Sequence, residues 1–210
     1  MTGVQTCALP ICRLYTVETG KKCALYGHPS AATTALSRAL EAPIAQEIDS
    51  EISCAIFAVN ASSGIDEKTI QLWHEFDDLL MPRILIVTGF NEGLQDFDDA
   101  VLLAKRVLDD VATPYLVLHD EDGSPCALIN LEDLKINNYR TSQVTEAEPE
   151  HVELISEFRS EYLAQLEAAG PNGFAAGIFF PAIPVLINDF EFQLGIDIVK
   201  RYLDSLPSIG

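Results

Sequence analysis

The chain has 210 residues, of which 48% are hydrophobic, enough to build the core of one large domain or of a domain with an inserted subdomain. Its formal net charge of −19 argues against a surface that binds nucleic acid by neutralising phosphates. No apolar run is long enough to span a membrane and no secretory leader is visible, so we expect a cytoplasmic protein. The cysteines form no CxxC pair and the histidines are scattered, so we expect free, buried thiols and no metal site.

Residues 1–11 (MTGVQTCALPI) resemble a translated sequencing-library adapter. Read as codons, the string matches one frame of a common adapter strand and begins with a GTG start codon, which points to a bacterial gene. We therefore expect these residues to contribute nothing to the fold and to pack against nothing in particular. We also expect that natural sequence before them is missing, and we allow for further domains after Gly210.

Strand-like and helix-like patterns alternate along the first half of the chain. The predicted elements are a strand over 13–18, a strand over 23–26, a helix over 31–40 with Ser30 as its N-cap, a strand over 52–59, a helix over 66–80, a strand over 82–87 and a helix over 96–111. This alternation predicts an α/β fold with a parallel sheet.

The pattern changes after residue 113. It predicts a hairpin with strands over 115–119 and 126–129 around the turn 120–125, a polar loop over 137–149, an acidic amphipathic helix over 149–169, a strand over 182–187 and a helix over 194–206. Because residues 114–176 interrupt the earlier alternation, we predict that they form an inserted subdomain.

The segment Gly27–Thr34 (GHPSAATT) lies between a predicted strand and a predicted helix, where a phosphate-binding loop of the pattern GxxxxGK[ST] would lie. Here the chain resembles the nucleotide-binding (G) domain of the translational GTPases, specifically elongation factor G and its relatives. Four further segments are similar to that family: SCAIFAVNASSGIDEKTIQLW at 53–73, PRILIVTGFNEGLQDFDDA at 82–100, ALINLEDLKINNY at 127–139, and IPVLINDFEFQLGID at 183–197 with the ending YLDSLPS.

The resemblance implies a P-loop NTPase-like three-layer α/β domain with a mostly parallel sheet. A degenerate G domain would occupy residues 12–113 and 177–210, and an α/β subdomain like the one inserted in elongation factor G would occupy residues 114–176. The family's phosphate loop falls on Gly27, His28, Ser30, Ala32, Thr33 and Thr34, and its base-reading site falls on Thr88, Asn91 and Asp189.

The chain departs from the family at each of these motifs. Ala32 replaces the second glycine and Thr33 replaces the lysine that contacts the outer phosphates, while Thr34 keeps the hydroxyl that would contact magnesium. Asn91 replaces the aspartate of NKxD, and a neutral amide cannot form the charge-assisted pair with guanine. Asp189 stands where the family has the serine of a Ser-Ala pair.

A larger gap lies between Leu40 and Ser53, where about a dozen residues replace several dozen in the family. The missing stretch would hold the switch I threonine, the DxPG motif and two strands. We therefore expect the strand over 23–26 to lie at the sheet edge, with residues 13–18 folded back over that edge as a hairpin strand.

The resemblance thus implies a degenerate paralogue, a pseudo-GTPase with no catalytic residues, no metal and no bound GTP and magnesium. It would act as a scaffold or as a module that binds the ribosome or translation factors. One alternative is a translational GTPase that keeps guanine-nucleotide binding and acts in elongation or ribosome rescue. Another is a domain that reuses the same cleft for a small molecule or an anion.

Overall fold

The computed structural model describes residues 22–91, 96–188 and 192–207. The predictions for residues 1–11 and 13–18 and for Asp189 lie outside the described residues, and they stay predictions.

The described residues form ten strands, six α-helices and one short 3-10 helix. The strands are β1 (Cys23–Gly27), β2 (Cys54–Asn60), β3 (Arg83–Thr88), β4 (Tyr115–His119), β5 (Pro125–Asn130), β6 (Lys135–Asn138), β7 (Gln143–Glu146), β8 (Ala182–Pro184), β9 (Leu186–Asn188) and β10 (Phe192–Leu194). The helices are the 3-10 turn Pro29–Ala31, then α1 (Thr33–Leu40), α2 (Glu67–Glu75), α3 (Phe97–Val107), α4 (Pro149–Leu154), α5 (Ser156–Ala169) and α6 (Ile196–Ser205).

A four-stranded parallel sheet in the order β1-β2-β3-β8 forms the centre of the fold, which confirms the predicted α/β class. Strands β2 and β3 are buried along their whole length. Their sequences, CAIFAVN and RILIVT, are nearly continuous apolar runs, as expected for parallel strands that are covered on both faces.

Strand β1 lies at one end of this sheet, as predicted. Outside it, the described residues between α1 and β2 contribute one isolated bridge, Leu25 to Ile44, rather than a strand. The Leu25 amide donates to the Pro43 carbonyl at 2.8 Å, and the Ala45 amide donates to the Leu25 carbonyl at 2.9 Å. This short bridge covers part of an edge that would otherwise offer unpaired backbone groups.

Between α3 and β8 the chain forms a second, antiparallel sheet in the order β4-β5-β6-β7. The predicted hairpin is confirmed as β4 and β5. The predicted polar loop over 137–149 is wrong, because it contains part of β6 and all of β7. All four residues of β7 (QVTE) are exposed. Because neither face of this strand is buried, its sequence lacks the alternation of apolar and polar residues that would predict a strand.

Two other predicted elements are each split in the structure. The helix over 149–169 breaks at Ile155, whose φ of −97° and ψ of 5° separate α4 from α5. The strand over 182–187 divides into β8, which pairs with β3, and β9, which pairs with β10. The domain boundaries at 113 and 177 stay predictions.

The sheet core contains a cluster of aromatic rings that also holds a buried arginine. Phe57 stacks on Tyr26 at 5.2 Å between centroids and meets Trp73 edge-on at 5.0 Å. The Arg83 guanidinium lies 4.8 Å from the Trp73 ring centroid and 4.2 Å from that of Phe180. Arg83 is 2% exposed, and its charge is compensated by these rings and by two polar contacts.

Those contacts tie the start of β3 to α2. The Arg83 Nη1 donates to the Trp73 carbonyl at 2.7 Å and lies 2.6 Å from Asp77 Oδ1. Asp77 is partly exposed, so solvent around its carboxylate weakens the electrostatic attraction of the ion pair. The buried packing of the guanidinium therefore contributes more than the ion pair does.

We expect Arg83→Ala to lower the free energy of unfolding by about 3 kcal/mol, because it removes a buried side chain and leaves polar partners unpaired. Urea unfolding followed by circular dichroism measures this change. The exposed Arg106 offers a matched control, and Arg106→Ala should cost less than about 1 kcal/mol. Equal losses for the two variants would show that Arg83 is not a core residue.

Candidate functional site at the ends of the parallel strands

Three loops leave the carboxyl ends of neighbouring parallel strands and meet at one edge of the sheet. They follow β1, β2 and β3 and cover residues 27–32, 60–64 and 88–91. In open α/β sheets, ligands bind in the crevice beyond these strand ends. The predicted phosphate-loop residues and the described residues of the predicted base site lie in these loops or in the first turn of α1.

The first loop begins at a glycine that no other residue could replace. Gly27 has a φ of 144°, and a Cβ there would lie 2.2 Å from the Ala58 carbonyl oxygen of β2. The next residue, His28, caps the 3-10 turn, since its Nδ1 accepts from the Ser30 amide at 3.2 Å and lies 2.9 Å from Ser30 Oγ. The prediction that Ser30 caps α1 is therefore wrong, because the chain makes a separate turn before that helix.

Ala32 stands at the junction between this turn and α1, in a left-handed conformation with a φ of 53° and a ψ of 30°. This is the position at which the resemblance places a glycine, and the left-handed conformation favours glycine. Thr33, at the lysine position, is buried, whereas Thr34 is exposed. The loop therefore has a backbone suited to glycine but carries no charge at residue 33.

Asn60 joins the loops that follow β1 and β2, and the sequence did not predict this role. Its Nδ2 donates to the Ser30 carbonyl at 2.9 Å. Its Oδ1 accepts from the amides of Ser62 at 2.9 Å and Ser63 at 3.1 Å. The sequence feature that indicates this role is a polar residue at the end of an otherwise apolar strand. Asn60 is buried in the structure.

The third loop packs closely against Asn60. Gly89 has a φ of 68°, and a Cβ there would lie 2.3 Å from Asn60 Nδ2. Ser62 Oγ donates to the Gly89 carbonyl at 3.2 Å, which ties this loop to the one after β2. Thr88 is buried and its Oγ1 donates to the Val59 carbonyl at 3.2 Å, whereas Asn91 is exposed.

A carboxylate adds negative charge beside the first loop. Asp66 caps α2 through Oδ1, which accepts from the Thr69 amide at 3.1 Å, and through Oδ2, which accepts from Thr69 Oγ1 at 2.6 Å. Burial raises the pKa of Asp66, but its hydrogen bonds with Thr69 outweigh burial, together with a smaller electrostatic contribution from His28, and lower the pKa overall. Asp66 is therefore ionised at neutral pH, close to the loop.

Two lysines outside these loops each have a polar partner, and one of them, Lys22, lies at the opposite, amino end of β1. Lys22 Nζ lies 3.0 Å from Glu51 Oε2, and Lys68 Nζ donates to Gln46 at 2.7 Å. In the part of the chain that the structure describes, no group of three or more His, Cys, Asp or Glu side chains is placed to hold a metal ion. None of the described helices is long and apolar enough to cross a membrane.

Comparison with solved structures agrees with the α/β class. A crystal structure of the protein designated ttk003000868 from Thermus thermophilus superposes with a TM-score of 0.70 and 19% sequence identity, over 90% of this chain and 40% of that one. At this identity the likeness concerns the fold alone.

Sequence comparison identifies curated relatives in two strains of Mycobacterium tuberculosis, CDC 1551 / Oshkosh and H37Rv. Each is an elongation factor G-like protein, 28% identical over an alignment of 158 positions that covers 63% of this chain and 21% of the relative. No protein-family model matches the chain. The chain is thus homologous to part of an elongation factor G-like protein, and it spans about a fifth of that protein's length.

We expect Asn60→Ala to lower the free energy of unfolding by about 2 to 3 kcal/mol, because three partly buried hydrogen bonds lose their partner. Chemical unfolding measures the loss. The exposed Asn172 provides a control, and Asn172→Ala should change stability by less than about 0.5 kcal/mol. A loss at Asn60 no larger than that at Asn172 would contradict its role in joining the loops.

We expect Ala32→Gly to stabilise the protein by about 0.5 to 1 kcal/mol, because glycine removes the steric cost of the left-handed conformation. The same substitution inside α1, Ala39→Gly, should instead destabilise by about 1 kcal/mol. Thermal unfolding of the two variants beside the parent compares them directly. Destabilisation by both would show that residue 32 does not have left-handed geometry.

Proposed function

We propose that the chain is a degenerate, elongation-factor-G-like G domain that serves as a translation-related binding or scaffold module and does not hydrolyse GTP. The observation that carries the proposal is the first loop. Its backbone keeps a left-handed residue immediately before α1, but that residue is Ala32, and the uncharged, buried Thr33 stands at the lysine position.

The charges around the loop support this proposal. Phosphoryl transfer depends almost wholly on positioning and on stabilisation of negative charge. Here the lysine is replaced, and the ionised Asp66 adds a negative charge near His28. The residues of this loop therefore do not fit a nucleoside triphosphate with magnesium, and we assign no catalytic step to them.

The base site supports it in the same way. The Thr88 hydroxyl donates to the Val59 carbonyl of the neighbouring strand. Asn91 has a side-chain amide at the position where the family has a carboxylate. A carboxylate would accept two charge-assisted hydrogen bonds from guanine, and an amide cannot replace it. The cleft therefore has lost the selectivity for guanine as well as the contact with phosphate.

The short connection between α1 and β2 supports a scaffold role. Twelve residues, 41–52, lead from α1 to Ser53, and they include the bridge from Ile44 to Leu25 rather than further described strands. A G domain without switch segments has no element through which a nucleotide would change its shape. We therefore propose constant binding to the ribosome or to a translation factor in a bacterial cytoplasm.

The second candidate is a translational GTPase that keeps guanine-nucleotide binding. The exposed Thr34 and the N-terminus of α1, where the helix dipole attracts an anion, favour it. Without a lysine, these groups would supply only weak attraction for an anion.

Titration with a fluorescent GTP analogue and magnesium separates the two candidates. We expect no saturable signal in the micromolar range for the parent chain and no release of phosphate from GTP. The triple variant Ala32→Gly, Thr33→Lys, Asn91→Asp restores the family residues and serves as the matched control. Saturable micromolar binding by the parent, competed by GDP, would overturn the proposal.

The binding role has its own test. The full chain should co-sediment with purified bacterial ribosomes to the same extent with GTP, with GDP and without nucleotide. Co-sedimentation that requires GTP would favour the second candidate. If the chain does not co-sediment with ribosomes under any of these conditions, the proposal that the ribosome is its partner is wrong. The proposal that the chain does not bind or hydrolyse GTP would still stand on the titration.

A further inference from the structure

A second cavity lies away from the strand-end cleft, where α5 and α6 approach the antiparallel sheet. Its volume is about 360 Å³, at the lower end of the range for small-molecule sites. None of the described cleft residues lines it. The cavity therefore belongs to a different part of the molecule from the predicted nucleotide site.

Five aromatic side chains form much of its wall: Tyr115, Tyr162, Phe174, Phe179 and Tyr202. Four of these rings meet edge to face in two pairs, with 5.1 Å between the centroids of Phe174 and Tyr202 and 6.4 Å between those of Tyr162 and Phe179. Open space beside such rings suits another aromatic ring, because edge-to-face and offset contacts are favourable. The wall therefore selects a flat, apolar group.

The tyrosine hydroxyls are neutral groups in this cavity. Burial raises the pKa of Tyr162 to about 12, and burial also raises the pKa values of Tyr115 and Tyr202. At neutral pH each phenol therefore keeps its proton, carries no charge and is able to donate a hydrogen bond.

Arg201 supplies a cation at the same cavity, and its guanidinium has capacity for a ligand. Its Nη2 donates to the Tyr115 hydroxyl at 3.4 Å and lies 3.5 Å from Asp197, and both distances are longer than an ordinary hydrogen bond. Asp197 is also engaged by the Tyr139 hydroxyl, which donates to it at 2.7 Å. Arg201 is 58% exposed and carries a planar fork of donors that matches a carboxylate.

Negative charge at the cavity limits the ligand further. Glu132 lines the cavity and is exposed, and Asp197 lies beside Arg201. A ligand with a single negative charge at Arg201 is repelled less by these two carboxylates than a phosphate monoester, which carries two negative charges. Among anions, the surroundings therefore favour a monoanion over a dianion, and Arg201 supplies the attraction.

We propose that this cavity binds a small planar aromatic molecule that carries one carboxylate. The ring lies against Tyr162, Phe174 and Phe179, and the carboxylate accepts hydrogen bonds from Arg201.

The test is a two-dimensional NMR titration of the isotope-labelled full chain with phenylacetate. We expect saturable shifts at residues lining the cavity, and weaker binding of benzyl alcohol, which lacks the charge, and of phenylethylamine, which reverses it. Phenyl phosphate should also bind more weakly than phenylacetate. Tighter binding of phenyl phosphate, or shifts confined to other surfaces, would overturn the proposal.

Two variants of matched charge locate the carboxylate. Arg201→Gln should raise the Kd for phenylacetate about tenfold, because one charge-assisted hydrogen bond contributes on the order of that factor. Arg106→Gln removes the same charge from an exposed position outside the cavity and should leave the Kd unchanged. Equal effects of the two variants would overturn the assignment of Arg201, and the dispersion of the NMR spectrum shows that each variant is folded.

Discussion

The Asn60 side chain is the interaction on which the geometry of the strand-end cleft depends. Its amide group donates to one loop and its carbonyl oxygen accepts from another, while the third loop approaches so closely that only glycine fits at residue 89. Asn60 can make these contacts because it is the last residue of the buried strand β2 and therefore lies where the loops meet. The loops are therefore held by the protein's own hydrogen bonds.

If the proposed function holds, this arrangement explains how the fold persists without a bound nucleotide. The apolar strands β2 and β3 and the aromatic cluster around Phe57 stabilise the sheet, and none of these groups needs a ligand. The charged groups that a triphosphate requires contribute little to such a core. In the proposed function, Thr33 in place of the lysine removes binding energy for phosphate, and Ala32 in place of the glycine costs a little stability because it is left-handed.

The sequence predicted the parallel sheet well because its buried strands are long apolar runs such as CAIFAV. The helix after β3 was also predicted, because Phe97, Val101 and Ala104 of α3 and its C-cap Leu108 repeat at helical spacing. It failed at β7, whose residues are all exposed, and at Ile155, where no proline or glycine marks the break between two helices. The positions of the loop motifs followed from the strand ends. The role of Asn60 and the turn capped by His28 did not, because both arise from contacts that form only after the loops meet.

Native-state hydrogen exchange of the loop amides tests the central claim most directly. Because Asn60 accepts from the amides of Ser62 and Ser63, these amides should be protected in the free protein. Their protection, and that of residues 30–34, should not change when GTP and magnesium are added. Unprotected amides at Ser62 and Ser63 that become protected on addition of GTP and magnesium would contradict the account, because the nucleotide would then be holding the cleft together.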